Sequence, residues 1–227
     1  MQSDKIIITN FVNDTRDMDP LKKLFASKLL EIKAVKLSPD APFTWASGWK
    51  SPIYCDNRKV NSYPAVRTYV KTQLAHHIIT DFPNVEMIAG VATGAISQGA
   101  LVADLLNLPF VYVRPNPKDH GLGNQIEGDL EAGEKVVVVE DLISTGGSSL
   151  KAVEALRLAG AEVIGMVASH TYGFPAATEA FRRAGVKLIT LTDYDHIIAQ
   201  AVDTGYVSED DVEMLRRWRE NPAEWGK

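Results

Sequence analysis

Val136-Val137-Val138-Val139-Glu140-Asp141-Leu142-Ile143-Ser144-Thr145-Gly146-Gly147-Ser148-Ser149 decides how this chain folds. Four valines without polar alternation suit a strand buried on both faces, as in a parallel sheet covered by helices. The strand ends in two carboxylates. Hydroxyls and glycines follow and open a helical stretch, Ser148 to Ala159, with Gly160 well placed as its C′ residue.

Outward from this unit the rhythm repeats. Met87 to Gly90, Phe110 to Arg114, Val163 to Ala168 and Lys187 to Thr190 read as further buried strands. Ile96 to Leu106 and Ala176 to Ala184 carry apolar residues at helical spacing. Alternating strands and helices predict an α/β fold with a doubly wound, mostly parallel sheet. Ligands in that architecture sit at the carboxyl ends of strands, so the loops after Gly90, Arg114 and Val139 are the places to look. The flanks lack the rhythm. Lys22 to Lys33, Tyr63 to Thr80, Asp193 to Thr204 and Ser208 to Glu220 read as helices, and Phe43 to Arg58 as strands and turns. We expect one domain over residues 1–227, with a core of about 63–190 and an accessory hood from about 20–60 plus 191–227.

Composition narrows the function class. The 227 residues carry 24 Lys plus Arg and 29 Asp plus Glu, a formal charge of −5, which disfavours a protein built to grip nucleic acid or an anionic membrane. One cysteine, Cys55, forms no intrachain disulfide and builds no thiolate cage. Ile6-Ile7-Ile8 is too short for a secretory core, and no stretch approaches the roughly 18 apolar residues of a membrane helix, so a cytoplasmic location is expected. His76 and His77 read as helix-face residues. His170 and His196 have no metal-ligand spacing, and the tryptophans suit packing or an interface.

The loop after the valines has its own chemistry. Ser144, Thr145, Ser148 and backbone N–H groups can converge on a phosphate, while Gly146 and Gly147 permit close approach at a helix N-terminus. Glu140 and Asp141 suit hydrogen bonds from vicinal sugar hydroxyls, or a place near a metal. The plainer alternative is a polar turn with Ser148 or Ser149 as helix cap. No Lys occupies the loop, so a P-loop is excluded.

This segment resembles the phosphoribosyl pyrophosphate signature of the type I phosphoribosyltransferases. Two further stretches resemble the orotate phosphoribosyltransferases within that family. One is Phe43-Thr44-Trp45-Ala46-Ser47-Gly48-Trp49-Lys50-Ser51-Pro52-Ile53-Tyr54-Cys55-Asp56-Asn57-Arg58. The other is Val113-Arg114-Pro115-Asn116-Pro117-Lys118-Asp119-His120-Gly121-Leu122-Gly123-Asn124-Gln125-Ile126-Glu127-Gly128, similar to the family's mobile catalytic loop. Gly90-Val91-Ala92-Thr93-Gly94-Ala95-Ile96 is similar to its pyrophosphate-side loop. The likeness spans about Lys22 to Thr192 and implies the type I fold with a small hood.

The resemblance also implies an activity: transfer of a phosphoribosyl group from phosphoribosyl pyrophosphate to orotate, in pyrimidine biosynthesis. It implies Lys118 and Asp141 as catalytic residues. Phosphoribosyl pyrophosphate would meet Lys36, Arg114, Lys118, His120, Glu140, Asp141, Leu142, Ile143, Ser144, Thr145, Gly146, Gly147 and Ser148, and orotate would meet Ser144 and Lys36. Mg²⁺ would be held mainly by substrate and water. The loop 115–131 would reach the partner's site in a homodimer. Two departures stand out: Pro115 replaces a lysine of some members, and Ser169-His170-Thr171-Tyr172 lacks their late arginine. The rivals are a salvage enzyme for another base, disfavoured by the Phe43 to Arg58 stretch and the Lys118 loop, and a nucleic-acid-binding regulator, which would want a basic face.

Overall fold

The computed structural model describes residues 18–45, 48–116 and 125–225. The chain divides into two compact units, one of residues 1–56 and 192–227, the other of residues 57–191.

The larger unit is built on a six-stranded sheet of order β10-β9-β8-β5-β6-β7. Its strands are β5 (Met87–Val91), β6 (Phe110–Val113), β7 (Ile126–Glu127), β8 (Lys135–Ile143), β9 (Glu162–Thr171) and β10 (Leu188–Asp193). β9, β8, β5 and β6 run parallel to their neighbours in turn, and β7 returns antiparallel to β6. The doubly wound, mostly parallel expectation holds. Three strands run further than expected: β9 reaches Thr171, β10 reaches Asp193, and β8 continues through Glu140 and Asp141 to Ile143, so the carboxylates lie inside the strand rather than ending it. The connecting loop shrinks to Ser144–Gly146. β7 was not foreseen, being two residues long with no apolar run.

Burial explains the valine run. Val136 to Val139 are fully buried, with helices on both faces of the sheet. Val136 and Val138 join Ala152, Leu156 and Phe181 in one apolar cluster on one face. A bulge opposite Val136/Val137 leaves Ile164 unpaired and shifts the alternation of β9, so Val163, Met166 and Ala168 all reach that cluster. Gly165 is a packing necessity, because a Cβ there would overlap the ring of Phe82.

The helices of this unit are α2 (Pro64–Asp81), α3 (Ile96–Leu106), α4 (Gly147–Leu158) and α5 (Pro175–Ala184). Proline begins α2 and α5, where its missing N–H costs nothing. Asn107 closes α3 and Gly185 closes α5, both left-handed, which frees the chain to enter β6 and β10. A 3-10 turn, Asn57–Ser62, leads into α2.

The smaller unit holds α1 (Pro20–Glu31), α6 (Tyr194–Asp203), α7 (Glu209–Glu220) and two short antiparallel pairs. These are β1 (Val35–Leu37) with β4 (Ile53–Cys55), and β2 (Phe43–Thr44) with β3 (Lys50–Ser51). α1 packs on α6, with Phe25 and Leu29 buried. The fully buried Trp218 donates to the carbonyl of Lys50 at 3.1 Å and meets Trp45 edge-on at 5.6 Å, which agrees with a packing role for the tryptophans. Among the described residues no helix is long and apolar enough to cross a membrane.

Candidate active site

The site is assembled at the carboxyl end of β8. Side chains alternate along a strand, so Glu140 continues the row of Val136 and Val138 while Asp141 continues that of Val137 and Val139. Glu140 therefore turns toward α4. Its Oε2 accepts from the hydroxyl of Ser149 at 2.8 Å and its Oε1 from the amide of Asp141 at 2.9 Å. Glu140 is 4% exposed and Ser149 1%. Burial, with the Asp141 charge beside it, pushes the Glu140 carboxyl up to about 8.

Asp141 has different neighbours. A Cβ on Gly94, in the loop after β5, would overlap its carboxylate, so the backbone of that loop passes directly against the acid. The side-chain amide of the buried Asn57 donates to the Asp141 carbonyl at 2.6 Å. Burial raises the Asp141 carboxyl, and a side-chain hydrogen bond with Glu140, then the nearby charge of Arg58, oppose the rise. Asp141 is half-buried.

The loop that follows is shaped by one residue. Gly146 has φ +82° and sits where a Cβ would press on the ring of Phe181, so conformation and space both demand glycine. It is the N-cap of α4, and no side chain caps the helix there. Ser148 and Ser149 are not caps: Ser148 is exposed, and Ser149 bonds Glu140. The amides of the first turn consequently face outward without an intrahelical acceptor, with Ser144 half-exposed and Thr145 exposed beside them. An anion is the natural partner for such a helix end. Leu142 is half-buried. Ile143 buries its side chain in the core, and its carbonyl accepts from the amide of Tyr172 at 3.0 Å.

Other residues singled out in the sequence fall as follows. Arg114 leaves β6 half-exposed, its guanidinium 3.6 Å from Glu127 on β7. Lys118 and His120 lie outside the described residues. Lys36 stands exposed on β1 of the smaller unit, opposite Tyr54. Tyr172 is buried edge-on to His170 at 5.2 Å and stacked on Phe174 at 5.5 Å. Thr93 is exposed and Gly94 half-buried after the cis Ala92–Thr93 peptide. Asn57, Arg58 and Ser149 are site neighbours whose roles the sequence did not disclose. The signal for the first two lay in the Asp56-Asn57-Arg58 end of the Phe43 stretch.

The donor set bears on Mg²⁺. Among the described residues no three His, Cys, Asp or Glu side chains are grouped to hold a metal. A half-buried Asp141 beside an anion-binding helix end is what Mg²⁺ uses when substrate oxygens and water complete its shell, so the residues fit that cation.

Comparison with known proteins places this geometry. A phosphoribosyl transferase domain matches residues 62–209. An orotate phosphoribosyltransferase of Porphyromonas gingivalis is 65% identical over 209 residues, covering 92% of this chain and all of that one. One of Cytophaga hutchinsonii is 55% identical over 205 residues, 90% of this chain and 98% of that one. The crystal structure of the Aeropyrum pernix orotate phosphoribosyltransferase superposes with a TM-score of 0.70 at 30% identity, covering 81% of this chain and 99% of that one. The chain therefore belongs to the orotate phosphoribosyltransferases of the phosphoribosyl transferase domain family.

Proposed function

We propose that this chain transfers the phosphoribosyl group of phosphoribosyl pyrophosphate to orotate, giving orotidine 5′-monophosphate and pyrophosphate. The uncapped first turn of α4, opened by Gly146 behind Ser144 and Thr145, carries the proposal. It is a preformed seat for the 5′-phosphate, and Asp141 stands beside it to take the ribose hydroxyls. Orotate as the base follows from the activity of the similar proteins.

In the reaction the bond from sugar C1 to pyrophosphate breaks, its electrons leave with pyrophosphate, and a ring nitrogen of orotate bonds to C1 and gives up its proton to the departing pyrophosphate or water. Positive charge grows on the sugar and negative charge on the leaving group. Arg114, Lys118 and His120 supply cationic or hydrogen-bonding groups for the pyrophosphate, with Lys118 the main catalytic contributor. Ser144 and Lys36 serve orotate. Mg²⁺, held by Asp141 through water and by substrate oxygens, would neutralise charge on the departing pyrophosphate. Closure of the 115–131 loop excludes water, which would otherwise hydrolyse the activated sugar. The working form is a homodimer in which that loop serves the partner's site.

The test is direct. Purified protein with Mg²⁺ and phosphoribosyl pyrophosphate should deplete orotate, followed by its ultraviolet absorbance. Turnover of adenine or hypoxanthine with no orotate loss would overturn the base assignment. Mixing a Lys118→Ala chain with an Asp141→Asn chain should restore activity through mixed dimers; failure to do so would remove the shared loop.

A further inference from the structure

A cavity of about 440 Å³ lies within the smaller unit. It is lined by Asp193 at the end of β10, by Asp195 and His196 on α6, and by Arg216, Arg219 and Glu220 on α7. It shares no residue with the active site. We propose that it is a second anion site, which takes a phosphate group that still carries a proton.

The histidine defines what the ligand must offer. Oδ2 of Asp193 accepts from the Lys22 ammonium at 3.1 Å, and Oδ1 from the His196 amide at 3.1 Å. His196 Nδ1 lies 2.6 Å from the same Oδ1, so Nδ1 carries the hydrogen and the neutral ring keeps its lone pair at Nε2. Nε2 is buried and has no hydrogen-bond partner among the described residues. A buried acceptor without a partner is costly, so a ligand that brings an O–H to Nε2 is favoured over one that does not.

Charge defines the rest of the ligand. Arg216 and Arg219 stand three positions apart on α7, so they share a face, and both are half-buried, whereas the Arg217 side chain between them is 66% exposed. Arg219 is fixed by Asp195 and by the Tyr194 ring at 5.5 Å, and one bond to a carboxylate leaves a guanidinium further N–H donors. The acids of the cavity are largely answered: Asp193 by Lys22 and His196, Asp195 by Arg219, while Glu220 is exposed to screening solvent. Hydrogenphosphate meets both demands. Its P–O–H donates to Nε2, and its anionic oxygens accept from the guanidinium groups. Sulfate has the same shape and only the oxygens.

Nuclear magnetic resonance of the full chain, with isotope-labelled histidine near neutral pH, reads the site through the His196 ring nitrogens. Orthophosphate should move the Nε2 resonance saturably. Sulfate at equal ionic strength should bind at least about tenfold more weakly, since it has no proton to give and leaves Nε2 unpaired. Arg216→Gln keeps His196 as the probe and should weaken the phosphate titration by at least about tenfold. A parallel titration with pyrophosphate distinguishes the sources, free phosphate or the end of a diphosphate such as the reaction releases, by which saturates first. Sulfate that matches phosphate overturns the proton requirement. An Nε2 resonance that ignores both phosphates, or an Arg216→Gln chain with the parent's titration, overturns the site. The comparison of phosphate with sulfate uses the parent chain alone, so it decides the proposal even where the variant fails to fold.

Discussion

The side-chain amide of Asn57 donates to the backbone carbonyl of Asp141 across 2.6 Å, joining the turn before α2 to the strand that bears the acids. Asn57 is 1% exposed, so its amide has no water to fall back on. Asn57→Ala should cost about 1–3 kcal/mol of stability by orphaning a buried carbonyl. Under the proposed function it should also weaken phosphoribosyl pyrophosphate binding, because the freed carbonyl belongs to the residue assigned there to the ribose. Denaturant unfolding and ligand titration check the two halves. Lost stability with full affinity would show that the bond serves folding alone.

Gly94 and Gly165 both exclude a Cβ, with opposite consequences. At Gly94 the obstacle is the Asp141 carboxylate, a side-chain end that can move aside. Gly94→Ala should therefore fold with a melting temperature close to the parent while activity falls by about a hundredfold, through a displaced acid. At Gly165 the obstacle is the ring of Phe82, fixed at 4% exposure in the core. Gly165→Ala should destabilise by about 1–3 kcal/mol, with the kinetics of the folded fraction intact. Thermal melts beside initial rates separate the two.

These contrasts bear on what the sequence discloses. Val136 to Val139 announce a covered parallel strand because a run of fully apolar residues has few other homes, and α3 was bounded at Ile96 and Leu106 by apolar spacing alone. The extension of β8 to Ile143 was hidden because two acids interrupt the apolar pattern, and only a buried hydroxyl on α4 makes Glu140 tolerable inside. Asn57 lies 84 positions from Asp141, a pairing that no local pattern encodes. Ser149 looked like a helix cap, since serine at a helix start usually caps. Lys118 and His120 rest on their motif, because they fall outside the described residues.

The raised Glu140 carboxyl makes stability depend on pH with a definite sign. The unfolded chain releases this proton near 4.5, whereas the native state keeps it to about 8. Between those values folding takes up a proton, so each rise in pH favours the unfolded state. The contribution is full below 4.5 and lost by about 8. Melting temperature should thus decline from pH 5 to pH 8 in the parent, and the slope should flatten in Glu140→Gln, which has no proton to lose. A variant with the parent's slope would place the titrating group elsewhere.

Arg114 is anchored through its backbone, so its side chain is not needed to hold the turn after β6. Its amide donates to the carbonyl of Gln125 at 2.8 Å, and the Gln125 side chain donates back to its carbonyl at 2.9 Å. The guanidinium lies 3.6 Å from the part-exposed Glu127, and the side chain is 35% exposed. A pair of that kind contributes about 0.2–1 kcal/mol. Arg114→Ala keeps both backbone bonds, so its melting temperature should stay within a few degrees of the parent. The lost cation should instead raise the KM for phosphoribosyl pyrophosphate by about tenfold, and increasingly so at low ionic strength, where an exposed charge acts over the longest range. Glu127→Gln should do the reverse to KM, by releasing the guanidinium from its competitor. If both variants leave KM at the parent value, Arg114 belongs to the β6–β7 hairpin and not to the pyrophosphate.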